Sequence, residues 1–568
     1  MRETPCSVDS SADDHNPRIF RGLELCIKIA LSRTRSKYYT RIADRMTMPS
    51  PRLVLIGLDA ASSPLIRKWA AAGELPAIGR LLESGFTATV ATPPGVLEGG
   101  IWPTFLTSMS PARHGMFSHL NLKRATYDLE VGMYADRLPA PPFWAYLSRA
   151  GRRVAVIDAP FARPVKDLNG IQVTNWGAHD PWCWKRSSWP PDLIDDLLQR
   201  FGSHPVDNCD AEGRSLADYD VLRMRLIAGV QRKAALLRYY LERERWDFFF
   251  GVFSESHCAG HQFWHLMDPR HPRYDATASD TLRSTIRDVY RAIDAGIGAL
   301  LESVPPDTYL LIMSSHGMGP YYAGSHLLDR VLEKLGLASP EVALSLTATE
   351  STSDELTVGQ HLWELRNLLP SRLRLELKSR LPVLVTSVRR SMSGPDLNPW
   401  CRSRAFAVPS NNMTGAIRIN LKGREPEGLV EPGAEYEALR KEIIDALIEL
   451  NNAETGQPAV QWVARVEELY KGPRLRDMPD LFVEWDHSAP IAALSSPRIG
   501  QVSQPFAGHR TGDHWPNGLL VGRGIGLRSG EVNHLVRTED IGPTVLDFFG
   551  VQRPLGCEGH SALPFIRE

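Results

Sequence analysis

No apolar run in this 568-residue chain approaches the roughly 20 residues that a membrane-spanning helix needs, so no transmembrane segment is expected. Paired cysteine spacing is also lacking. The seven cysteines (Cys6, Cys26, Cys183, Cys209, Cys258, Cys401 and Cys557) are odd in number, scattered, and never spaced as CxxC. That pattern argues against a disulfide framework and fits reduced thiols in the cytoplasm. There is no excess of charge: 65 basic against 66 acidic residues give a formal net charge of -1, which excludes the basic footprint of general nucleic-acid binding. The composition is otherwise that of a soluble globular protein, and the length exceeds one small core, so two lobes or a core with a large insertion are expected.

The first fifty residues differ from the rest. After a polar opening, "RIFRGLELCIKIALSRTRSKYYTRIADRM" is strongly basic but lacks the apolar region and cleavage site of a secretory signal. It reads as a basic surface helix, a membrane-surface anchor, or sequence upstream of a start at Met46 or Met48, and no function is drawn from it. From residue 51 strands and helices alternate. "RLVLIGLD" (52–59), "RVAVIDAP" (153–160), "DFFFGVFSE" (247–255), "TYLLIMSS" (308–315) and "GLLVGRG" (518–524) are near-continuous apolar runs, as in strands buried on both faces of a largely parallel sheet. Helical segments such as "DYDVLRMRLIAGVQRKAALLRYYLERE" lie between them, which predicts a doubly wound α/β core. Residues 336–475 interrupt the rhythm and read as an inserted cap, dividing the core into 51–335 and 476–568, with "DLFVEW" (480–485) returning to the sheet. Within the cap, Leu439, Ile443 and Leu447 recur at four-residue steps and mark one buried helix face.

Ligands of an open α/β sheet bind outside the carboxyl ends of its strands. The first strand delivers Asp59. The third delivers Glu255, His257 and His261, and the fourth delivers Ser314, Ser315 and His316. "GDHWPNGLLVG" sets Asp513 and His514 just ahead of the last strand. Acids and imidazoles converging on one rim form a donor set suited to zinc, manganese or iron. In "FSESHCAGHQFWHLMDPRHP", His257, His261 and His265 repeat every fourth residue and share a helix face, while His265 and His271 read as packing or supporting residues. Asp513 is placed to orient His514.

The order LDAA, WPTFLTSMSPARHG, HCAGH, SSHGMG and GDH resembles the alkaline phosphatase superfamily. More narrowly it is similar to the type I phosphodiesterase/nucleotide pyrophosphatase branch and its bacterial phosphohydrolase and phosphomutase group, over roughly residues 51 to 568. The resemblance implies an α/β core whose rim holds one or two divalent metal ions, zinc or manganese, and which acts on a small anionic phosphate ester. It places Asp59, His261, His316 and His514 at ligand positions. Three positions depart from the family pattern. His257 stands where the family has an acid, Ser315 where the DHG motif has its aspartate, and Glu98 falls near the expected hydroxyl nucleophile. Thr104 and Thr107 match structural positions rather than the nucleophile.

These departures suggest one ion held by His257, His261 and His514, and a second held by Asp59, Glu98 and His316 with Ser315 beside them. The expected reaction is hydrolysis of a phosphomonoester or phosphodiester by a metal-bound hydroxide, with attack by Ser315 or Glu98 as the covalent alternative. Other readings are a catalytically silent metal-binding relative, or a phosphotransferase, mutase or sulfatase of the same superfamily. Dinucleotide binding through "VGRGIG" (521–526) lacks a following βαβ unit. Lys422 and Arg424 of the cap read either as contacts for an anionic substrate or as part of a solvated surface loop or the cap's own ion pairs.

Overall fold

The computed structural model describes residues 52–97, 99–131, 138–177, 186–206, 208–340, 399–410, 413–506 and 508–568. The basic N-terminal extension, the Ser/Thr-rich start of the cap and Glu98 lie outside the described residues.

The apolar runs form strands β1 (Leu53–Leu58), β2 (Phe86–Ala91), β3 (Val154–Ile157), β4 (Gly170–Thr174), β5 (Ser187–Trp189), β6 (Phe248–Phe253) and β7 (Tyr309–Ser314). They are followed by β8 (Gly317–Pro320) and, in the inserted lobe, β9 (Ala405–Ala407), β10 (Thr414–Ile419), β11 (Val460–Arg465) and β12 (Leu481–Trp485). The last two are β13 (Gly512–Trp515) and β14 (Gly518–Arg523). The main sheet runs β2-β14-β7-β1-β6-β3-β4-β5, with short edge pairings beyond β2. Its centre, β7-β1-β6-β3-β4, is parallel throughout, while β14 runs antiparallel to both β7 and β2.

Alternate residues of the central strands feed two cores, as a sheet covered on both faces requires. Val54, Ile56 and Leu58 pack with α1 (Ser63–Ala71), α3 (Leu216–Arg243), α4 (Glu255–Met267) and α5 (Thr285–Glu302). Leu53 and Leu55 pack on the opposite face with α2 (Ile101–Thr107) and the helix Ile541–Phe548. The 28-residue α3 starts at a capping box, in which Ser215 and Asp218 satisfy each other's backbone donors. This is the doubly wound α/β core that the sequence predicts. Among the described residues no helix is long and apolar enough to cross a membrane.

One strand assignment is corrected. The run at 480–485 does not rejoin the main sheet: β12 pairs antiparallel with β10 and β11 in a separate four-stranded sheet. All five of its residues are buried, and Leu481, Val483 and Trp485 join an apolar cluster that also takes in Leu97 and Ile101 of the core. The lobe's helix α6 (Ala434–Ile448) buries Leu439, Ile443 and Leu447 in that cluster, as their spacing predicts.

Candidate metal centre

The parallel strands end on one edge, and β1, β6 and β7 are neighbours there. Asp59 follows β1, α4 begins directly after β6, and Ser315 and His316 follow β7. A two-stranded ribbon beyond the edge supplies the remaining residue: β8 pairs with β13, with Met318 opposite His514.

His257 and His261 are one turn apart on α4, with their Nε2 atoms 3.1 Å apart. His261 Nδ1 donates to the Gly512 carbonyl at 2.7 Å, so its Nε2 carries a lone pair. The His514 ring lies 4.9 Å and 4.8 Å from the rings of His257 and His261. Both of its nitrogens are buried without a hydrogen-bond partner. The ligand atoms of the three imidazoles lie within 4.8 Å of one another, and all three side chains are buried. No other group of three or more such side chains gathers this closely among the described residues. Burial first, then the Arg510 guanidinium and His514, hold His261 well below the usual histidine range. Its neutral form, the one that ligates metals, therefore prevails. A buried imidazole with neither nitrogen hydrogen-bonded, set beside two further imidazoles, fits a cation-binding set.

Asp59 and His316 form an adjacent wall. The His316 ring is 4.7 Å from that of His514, and its Nε2 is 4.0 Å from Asp59 Oδ1. Trp102 Nε1 donates to the same Asp59 oxygen at 2.9 Å, fixing the carboxylate. Ser315 Oγ lies 3.0 Å from His316 Nδ1, and Ser314 Oγ donates to the His316 carbonyl at 2.6 Å. Asp59, His257, His261, His316 and His514 are thus brought together, with Ser315 beside them.

The remaining sequence candidates are placed elsewhere or differently. Asp513 Oδ1 is 3.9 Å from the Nδ1 atoms of both His261 and His514, and accepts the His514 backbone N–H at 2.8 Å. It acts on the two rings through its charge and shapes the ribbon. His265 Nδ1 meets Thr511 Oγ1 at 3.1 Å, and His271 stacks on Tyr322. Both are pushed by burial down to about 4 and stand outside the cluster. Thr104 Oγ1 donates to the carbonyl of Gly100, which precedes α2, and Thr107 Oγ1 to that of Pro103 within it, so both hydroxyls serve the helix backbone. Lys422 and Arg424 are paired inside the inserted lobe, with Glu431, and with Glu425 and Asp480. Of the two readings for these residues, the ion-pair reading holds. Two contributors escaped the sequence reading: Trp102, which lies in the WPTF motif, and Arg510, which reaches Asp210 at 2.8 Å beside the cluster.

No curated protein matches the sequence. The structure is similar to phosphonoacetate hydrolase from Sinorhizobium meliloti 1021 (TM-score 0.46, 14% identity, 89% of this chain and 96% of that one). It is also similar to murine ectonucleotide pyrophosphatase/phosphodiesterase 5 (TM-score 0.44, 11% identity, 91% and 98%) and to the alkaline phosphatase PafA (TM-score 0.46, 12% identity, 92% and 100%). The sequence profile described as type I phosphodiesterase/nucleotide pyrophosphatase matches residues 53–498, which span most of the chain and four of the five histidine and aspartate positions above. On that match, the chain belongs to the type I phosphodiesterase/nucleotide pyrophosphatase family.

Proposed function

We propose that the chain is a metal-dependent hydrolase of phosphate esters, with zinc held by His257, His261 and His514 and water as the nucleophile. The observation that carries this reading is the convergence of three buried imidazoles, with both His514 nitrogens unpartnered. A divalent ion held there supplies Lewis acidity, acidifying water and drawing charge from phosphoryl oxygens. Three neutral donors leave the ion its full charge, which strengthens both effects relative to a site with an acid in place of His257. Asp59 and His316, joined by Glu98, are proposed as the donors of a second ion.

The chain's own residues do the orienting. Trp102 holds the Asp59 carboxylate, Ser315 holds the His316 ring, and the Gly512 carbonyl sets the His261 tautomer. In the reaction a water oxygen forms a bond to phosphorus as the ester P–O bond breaks. The departing alkoxide takes up the proton that the water gives up. Metal analysis of the purified protein, followed by a panel of mono- and diesters with His261→Ala as control, tests this. Metal-dependent turnover lost in the variant is expected, and a metal-free protein inert across the panel would sink the reading.

The Ser315–His316 contact favours one second reading, attack by Ser315 with a phosphoserine intermediate. Rapid quench separates the two: a trapped phosphoenzyme selects Ser315, and its absence during turnover selects water.

A further inference from the structure

A second group of buried ionisable side chains stands on the same edge of the sheet, one strand farther along. Asp158 follows β3, the neighbour of β6, and has a φ of +58°, a left-handed conformation that Asp tolerates. Its carboxylate accepts the backbone N–H groups of Trp176 at 2.7 Å and Gly177 at 2.8 Å. Lys233, in the interior of α3 and 0% exposed, donates to that carboxylate and to the Val252 carbonyl at 3.3 Å. Glu255, the first residue of α4 and 1% exposed, sets Oε1 2.9 Å from His204 Nε2, while its Oε2 is buried without a hydrogen-bond partner. Trp176 links the two pairs: Lys233 Nζ lies 5.2 Å from its ring, and the His204 ring meets it edge-on at 5.2 Å.

Two glycines provide the room. A Cβ at Gly229 would lie 2.5 Å from His204 Nε2, and one at Gly177 would lie 2.7 Å from Lys233 Nζ. Burying four ionisable groups is expensive, and apolar packing of the same volume would hold the core at least as well. The value of the cluster therefore lies in what it fixes, and the nearest such element is the first turn of α4. Glu255 stands two residues before His257, and Ser256 between them donates to the Asp59 carbonyl at 2.7 Å. The turn is thus tied to the His204 and Lys233 side by one residue and to the Asp59 loop by the next.

We propose that Glu255, held by His204 and backed across the Trp176 ring by Lys233, is a positioning residue that fixes the rotation of the first turn of α4 and so aims the His257 imidazole at His261 and His514. The proposal rests on the reading of those three histidines as ion ligands. Without the brace the turn can rotate, and His257 leaves the set while His261 and His514 remain.

The test uses Co²⁺ alone as a probe of the full-length protein. Its visible absorption reports ligand number and geometry, and competition with a chromophoric chelator gives affinity. Glu255→Gln, close in shape to the native side chain, and Lys233→Met are expected to bind Co²⁺ about tenfold or more weakly, with a shifted band. Their circular dichroism stays that of the wild type. His204→Gln is the alternative if either variant fails to fold, and the same weakening is expected of it. Glu255→Gln with the wild-type affinity and spectrum would overturn the positioning role. A wild-type protein that takes up no Co²⁺ would instead overturn the metal reading, and the positioning role with it.

Discussion

In the inserted lobe, Arg424 meets Asp480 Oδ1 at 2.7 Å and Oδ2 at 2.6 Å, and also reaches Glu425 at 2.8 Å. Arg418 approaches Glu425 at 2.5 Å, and the Tyr436 hydroxyl donates to Asp480. Every charge there faces an opposite charge. At the rim of the core, by contrast, the ligand atoms of three imidazoles lie close together, and neither His514 nitrogen has a hydrogen-bond partner. Both clusters are buried and both are rich in ionisable groups. The difference is saturation: the Arg–acid cluster has satisfied its valences within the fold, whereas the imidazole cluster has kept lone pairs in reserve. Density of charge marks structure as readily as function, and unfilled donors converging on one point are the better sign of a site.

His261→Ala should sharpen this contrast most. It removes a ligand whose tautomer is already set, and should cost at least about a hundredfold in ion affinity by competition titration, with little change in the unfolding midpoint of the metal-free protein. Asp480→Ala should do the reverse. It leaves Arg424 buried beside too little negative charge, and is expected to lower unfolding free energy by about 3–5 kcal/mol while the folded fraction keeps its metal stoichiometry. If Asp480→Ala empties the metal centre, or His261→Ala unfolds the chain, the contrast fails.

Acid should weaken the fold through histidines held neutral by burial. His114 is pushed by burial down to about 3, and His265 and His271 to about 4. Each folded value lies below the ordinary 6.5, so the unfolded chain binds more protons as pH falls. The stabilisation is complete above about pH 6.5 and is lost as the pH drops toward the folded values. Denaturant titrations at pH 7 and pH 5 should differ by about 2 kcal/mol for each such group. A smaller effect is expected at Asp513. Asp513→Asn keeps the shape but removes a charge 3.9 Å from two of the rings, and should weaken the ion by about tenfold. The smallest belongs to Lys422→Ala, which should leave metal content, turnover and unfolding midpoint at wild-type values, because its exposed ammonium pairs with Glu431 at the surface.

Much of this was legible in the sequence because buried parallel strands are continuous apolar runs, and the residue after each run is delivered to one edge. That rule finds Asp59 and His316, and the four-residue spacing on the helix after β6 adds His257 and His261. It cannot say which sheet a run enters, which is why 480–485 was expected in the core and lies in the inserted lobe. Nor does it show partners distant in sequence. Arg424 looks like a free cation until Asp480, 56 positions on, is seen beside it. Asp158 stands at a strand end just as Asp59 does, but its role depends on Lys233 in the interior of a long helix, where a lysine ordinarily reads as solvated. Glu98 lies outside the described residues, so its place beside Asp59 and His316 is read from the sequence alone.

The pairing of His261 with the ribbon carries a mechanical consequence. The ring and the Gly512 carbonyl it bonds are 251 positions apart, and the intervening chain includes the whole of the inserted lobe. An ion shared by His257, His261 and His514 would therefore act as a rivet, closing one very long loop at its two ends. Because the closure entropy of such a loop grows only with the logarithm of its length, a single rivet can hold its two ends, α4 and the β8–β13 ribbon, together. At a hundredfold excess over the dissociation constant it adds about 2.7 kcal/mol to the folded state. Chelation would then be felt first as a loosening of the ribbon's hold on α4, which proteolysis within β13 would register before any global unfolding.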